Sequence, residues 1–107
     1  MTNWNDEKEC LAAVINYGYA LEFVKNQTLE VCLAAVEKYG LALQHIKKQT
    51  EEICIISVKN YGRALRFVLQ QTKEICIAAI EQDNYALKYI DKEKFPELYC
   101  YYKLLWS

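Results

Sequence analysis

"CLAAVEKYGLALQHIKKQT", Cys32–Thr50, decides how this chain is read, because it is one of four versions of the same text. The others are CLAAVINYGYALEFVKNQT from Cys10, CIISVKNYGRALRFVLQQT from Cys54 and CIAAIEQDNYALKYIDKEK from Cys76, so each begins 22 residues after the last. Ala20, Ala42, Ala64 and Ala86 keep the same step, as do Leu21, Leu43, Leu65 and Leu87. Self-similarity at a fixed period marks stacked repeats, in which each unit is too small to bury its apolar face alone and its neighbours cover it.

Within one unit, two short helices are expected. Thr28 is suited to an N-cap, and Glu30 in the first turn meets the positive end of the helix dipole. Val31, Cys32, Ala35, Val36 and Tyr39 then follow at helical spacing. Gly40 fits the left-handed position that ends such a helix, and Asn84, which also tolerates that conformation, replaces glycine in the fourth copy. A second helix is expected from about Leu41 to Lys48, carrying Ala42, Leu43, His45 and Ile46 inward. Helices this short are marginal in isolation and need neighbours. The reading is an all-α solenoid of four helical hairpins, over about residues 6–27, 28–49, 50–71 and 72–93, forming one domain over 1–107.

The ends depart from the pattern as the ends of a solenoid do. Glu9 stands where Val31, Ile53 and Ile75 recur, which makes the first unit more polar. After the fourth unit, Pro96 suits a first helical turn, and Leu98, Tyr101, Tyr102, Leu105 and Trp106 predict an aromatic-rich capping helix over about 95–106 that seals the last apolar edge. A rival architecture exists, since 22 is twice eleven and an eleven-residue apolar repeat gives a right-handed coiled coil. That arrangement buries each glycine inside a long helix at about 1 kcal/mol relative to alanine, and ignores the recurring caps. The solenoid is the better account.

The pattern T-x-E-[VI]-C-[LI]-A-A-[VI]-x-x-Y-G-x-A-L-x-[FHY]-[VI], over residues 6 to about 93, resembles the short α-helical repeats of domain of unknown function 4116. The resemblance implies a bacterial or large-virus setting, where such repeats occur in arrays, and implies no activity. The segment from Phe95 lies outside it.

Composition narrows the function classes. Hydrophobic residues make up 53% of the chain, too many for a disordered one. A net charge of -1 weighs against a dedicated nucleic-acid or acidic-membrane binder. No run of about 20 apolar residues is present, the N-terminal MTNWNDEKEC is unlike a secretory leader, and five cysteines fit a reducing compartment, so a cytoplasmic location is expected. The cysteines lack the close pairing of zinc sites, and their 22-residue step suits small apolar residues at tight helix contacts. Cys100 stands outside that ladder. His45 shares its slot with Phe23, Phe67 and Tyr89, which reads as ring packing rather than catalysis. Glu51 and Glu52 suit a helix N-terminus, not a spaced acid–base pair. No catalytic residue, metal ligand or cofactor is expected, and the protein is not read as an enzyme.

Charge is the more informative signal. The first-helix windows hold nine acids and four bases, whereas the second-helix windows hold two acids and seven bases. Two slots three residues apart vary in chemistry from unit to unit: Tyr19, Leu41, Arg63 and Tyr85 in one, Glu22, Gln44, Arg66 and Lys88 in the other. Rows of this kind form extended binding surfaces in repeat proteins. The expected partner-binding residues are therefore Tyr19, Leu41, Gln44, Lys48, Arg63, Arg66, Tyr85, Lys88 and Lys92. The expected function is non-catalytic binding of a larger protein, such as a nucleic-acid-processing complex, by a small phage- or mobile-element-type inhibitor or effector of the anti-CRISPR kind. The alternative is a nucleic-acid-binding module using the same basic face.

Overall fold

The computed structural model describes residues 2–106 and contains an alternation of two helix types. The α-helices are α1 (Glu7–Asn16), α2 (Leu29–Lys38), α3 (Glu51–Asn60), α4 (Lys73–Gln82) and α5 (Pro96–Leu105). Between them lie four 3-10 helices, η1 (Gly18–Phe23), η2 (Gly40–His45), η3 (Gly62–Phe67) and η4 (Asn84–Tyr89). Successive pairs stack into an all-α rod of 51 × 20 × 16 Å, with the α-helices on one side and the 3-10 helices on the other.

The starts of the α-helices are as the sequence predicts. The hydroxyls of Thr28, Thr50 and Thr72 each accept a hydrogen bond from the backbone N–H three residues on, and Asp6 accepts from Lys8 and Glu9. The stops are not. No residue described has a positive φ, so the glycines are not left-handed caps. Each of the first four α-helices instead ends at one extended residue (Tyr17, Tyr39, Tyr61 or Asp83), whose carbonyl already accepts the first bond of the 3-10 helix.

Glycine is required for closeness. A Cβ on Gly40 would stand 2.7 Å from the Ser57 carbonyl oxygen and 2.8 Å from the Tyr61 Cβ, both in the next unit. On Gly18 it would run into the Tyr39 ring, and on Gly62 into the Ala79 carbonyl. Ser57, fully buried, fastens the same contact by donating from Oγ to the Gly40 carbonyl at 2.6 Å. Asn84 is exposed because no fifth unit presses on η4, so a side chain is tolerated there.

The second helix is shorter than the expected span of about Leu41 to Lys48: it is a six-residue 3-10 helix, Gly40–His45. Its inward positions recur every three residues, as a 3-10 helix requires: Gly40, Leu43 and Ile46 are buried, and so are Gly62, Leu65 and Val68. Its length is set by the preceding unit. The Gln27 amide donates to the His45 carbonyl at 2.7 Å and accepts from the Lys47 N–H at 3.0 Å. Gln49 repeats this with Phe67 and Leu69, and Gln71 with Tyr89 and Asp91. One side-chain amide thus satisfies both groups that another helical turn would have used.

The core runs the length of the stack as Val14, Leu21, Val36, Leu43, Val58, Leu65 and Ile80, all fully buried. Cys10, Cys32, Cys54 and Cys76 lie within it, and the Cys54 and Cys76 thiols point at the Gln49 and Gln71 carbonyl oxygens at 3.5 and 3.4 Å. Burial raises the thiol pKa of both to about 11. The closing helix covers less than expected: α5 contains no buried residue and rests on the core through Leu98, Tyr99 and Tyr102, while Tyr101, Leu105 and Trp106 stay largely exposed.

Three outcomes follow. Gln49→Ala is expected to cost about 2 kcal/mol in urea unfolding, at about 1 kcal/mol for each of two bonds, with the exposed Gln70→Ala nearly neutral. Gly40→Asn is expected to lower the melting temperature about as much as Gly40→Ala, costing about 1–3 kcal/mol, because space and not φ is limiting; a silent Gly40→Asn would restore the left-handed cap. With a thiol reagent at neutral pH, Cys100 is expected to react in the folded protein and the other four cysteines only on denaturation, read by mass spectrometry.

Candidate functional site

In a 3-10 helix, residues three apart lie almost directly above one another. Tyr19 and Glu22, Leu41 and Gln44, Arg63 and Arg66, and Tyr85 and Lys88 therefore share the outward side of η1 to η4. Because each unit is clamped to the next in one register, the four pairs align into two rows along the rod.

The rows differ from end to end. Over the first two units they hold Tyr19, Glu22, Leu41 and Gln44, with no cation: Tyr19 stacks on Tyr39 at 5.7 Å between ring centres and meets His45 edge-on at 6.3 Å. His45 Nδ1 lies 4.0 Å from a Glu22 carboxylate oxygen, which occupies it as a ring in a packed slot. Over the last two units the rows become a strip of alternating cations and rings. The Arg63 guanidinium lies 4.1 Å from the Tyr85 ring centre. The Lys88 ammonium lies 4.6 Å from the same ring and donates to its hydroxyl at 3.0 Å. Arg66 stands 5.1 Å from the Phe67 ring and 5.6 Å from that of Tyr89, which Lys88 also approaches at 5.4 Å.

Arg63 is not the open cation that the sequence suggests. It is half-buried, and its Nε donates to Asp83 Oδ2 at 2.9 Å. The Tyr85 backbone N–H, and then Arg63, hold the Asp83 carboxyl below the usual carboxylate range. Asp83 fills the slot that is tyrosine in the other units, so the pairing spans 20 residues and is invisible to local pattern. Among the described residues Arg63–Asp83 is the ion pair between charged side chains; of the cations without a carboxylate partner, Arg66 and Lys88 are exposed neighbours on this face. The hydrogen bond to the Tyr85 hydroxyl raises the Lys88 pKa, and the nearby Arg66 charge opposes that rise.

The structure thus brings Arg63, Arg66, Tyr85 and Lys88 together, and places Tyr19, Leu41 and Gln44 farther along the same face. Lys48 and Lys92 lie elsewhere, in the linkers beyond η2 and η4, because the 3-10 helices stop short of them; Lys92 sits 4.8 Å from the Tyr99 ring of the closing helix. Tyr89 is the member that sequence reading passed over, although it occupies the aromatic slot of Phe23, His45 and Phe67. No group of three or more His, Cys, Asp or Glu able to hold a metal exists among the described residues, and no helix among them is long and apolar enough to cross a membrane.

A rod of clamped α/3-10 units with a variable outer row is a helical-repeat solenoid. The chain belongs to the family described as Domain of unknown function (DUF4116), whose model matches residues 28–71 and again 51–93, the two matches overlapping across the third unit. No curated protein and no solved structure matches it.

Proposed function

We propose that this protein is a non-catalytic binding module whose 3-10 face grips an acidic surface on a larger protein. The observation that carries the reading is the pair Arg66 and Lys88, both exposed, flanked by Phe67, Tyr85 and Tyr89, and without a carboxylate of their own. Arginine reads a carboxylate with two parallel donors, and rings beside a cation supply contact area at little entropic cost. Glu22 at the far end of the same row, and a net charge of -1, favour a protein partner over a phosphate backbone, which attracts long uninterrupted basic surfaces. The finer form of the reading is occlusion: the module covers a working surface of its partner, such as a nucleic-acid-processing complex, in the manner of a phage-type inhibitor.

Affinity capture from cell lysate, with and without nuclease, tests this. A protein partner retained after nuclease and lost with Arg66→Glu/Lys88→Glu is the expected result. The double variant is expected to keep the parent melting temperature, because neither side chain enters the core, and to bind at least about tenfold more weakly. Capture that disappears with nuclease would move the reading to nucleic acid, and an unaffected double variant would return this face to ordinary solvation.

A further inference from the structure

The α-helical side of the rod has a surface of its own. On each helix the positions i, i+3, i+4 and i+7 lie outside the fully buried set, and an ordinary solvated helix is largely polar there. Here the two central positions are apolar. Leu33, Ile55 and Ile77 line up from α2 to α4 with Ala34, Ile56 and Ala78 beside them, and all six are half-buried rather than covered. The outer positions are mostly acidic and exposed. Glu30, Glu52 and Glu74 border the stripe on one side, and Glu37 and Glu81 on the other, where Lys59 is the single interruption. Between α3 and α4 the stripe dips into a groove of about 550 Å³ lined by Ile55, Ile77 and Ala78 together with Glu74, Glu81, Gln82 and one cation, Lys59.

Leu33, Ala34, Ile55, Ile56 and Ala78 touch the core along one edge and Ile77 does not, yet all six stay partly open between bordering carboxylates, which leaves a continuous apolar stripe across three helices. It differs in sign and in place from the cation–aromatic strip on the 3-10 side. We infer that the outer face of α2, α3 and α4 is a second docking surface, and that it takes an amphipathic helix with an apolar seam flanked by lysine or arginine. Charge complementarity selects the occupant: Glu30, Glu52 and Glu74 meet one basic border of such a helix, while Glu37 and Glu81 meet the other. With neighbouring helix axes about 10 Å apart, the stripe spans about 20 Å from α2 to α4, the length of roughly 14 helical residues. The protein then has two unlike faces and can hold an acidic partner on one side and a basic helix on the other.

The test uses the full chain and a dye-labelled 14-residue peptide of leucine and lysine, patterned so that all leucines share one helical face. A scrambled peptide of the same composition is the control. Fluorescence anisotropy is expected to show binding of the patterned peptide at micromolar protein, with at least tenfold weaker binding of the scrambled one. Glu74→Lys/Glu81→Lys, which alters no buried residue, is expected to weaken the patterned peptide at least tenfold with its melting curve unchanged. Ile77→Asn is expected to do the same, and the glutamate pair keeps the test valid if that variant unfolds. No binding, equal binding of both peptides, or binding lost with Arg66→Glu/Lys88→Glu but kept with Glu74→Lys/Glu81→Lys would each overturn the inference. So would sedimentation showing an oligomer that Glu74→Lys/Glu81→Lys disperses, because the occupant would then be a second copy of this chain.

Discussion

The side-chain amide of each of Gln27, Gln49 and Gln71 donates from its nitrogen to one backbone carbonyl of the following unit and accepts at its oxygen from one backbone N–H there. Buried backbone groups must be paired, and a helix end leaves several without partners. In this fold the missing partners of one 3-10 helix come from the linker of the unit before it. The 3-10 helix therefore ends where its neighbour closes it, and the two units are held at one offset. The tyrosine-on-glycine contact fixes the opposite end of the same helix: the Tyr39 ring lies where a Gly18 side chain would be, and Tyr61 packs likewise against Gly40. With both ends fixed from the neighbouring units, six residues with a poor intrinsic tendency to hold a 3-10 turn are kept in one.

Register then does the remaining work of building surfaces. Identical offsets turn equivalent positions into straight rows, so chemistry that varies at one slot becomes a pattern along the rod. Buried slots scarcely vary, because a leucine that fills the space in one unit fills it in the next, whereas the outer slots can change sign without disturbing the stack. The 3-10 side uses that freedom to pass from tyrosine and glutamate to arginine and lysine. The α side uses it to keep an apolar seam between acidic borders. Both surfaces rest on the same clamps.

Much of the architecture was legible in the sequence. The threonine caps, the cysteine ladder and the four-unit count depend on residue type and spacing, which repetition makes plain. The 3-10 helices were missed although the sign was present: Gly18, Leu21 and Val24 are three apart, as are their counterparts in every unit, and a step of three is shorter than an α-helix needs. Local rules point to a left-handed turn at the glycines because they consider only a residue's own backbone. Their actual constraint comes from a side chain or carbonyl one unit away. The repeated glutamines lay in a polar linker and looked like spacer, since their partners are 18 and 20 residues downstream. Of the candidate site, the cluster of Arg66, Tyr85 and Lys88 followed from spacing alone. The neutralisation of Arg63 did not, because Asp83 reaches it from an adjoining unit.

The clamp also restricts how such a chain can change over evolutionary time. A glutamine reaches its two backbone partners only if the intervening residues number what they do, and the threonine after it must still open the next α-helix. One residue gained or lost in that linker would detach the amide and carry the cap out of phase at once. Most proteins accept small insertions in the segments between helices; this one has no slack there. Its length is therefore quantised, growing or shrinking by whole units of 22, while point changes in the outer rows alter its surface without disturbing the stack.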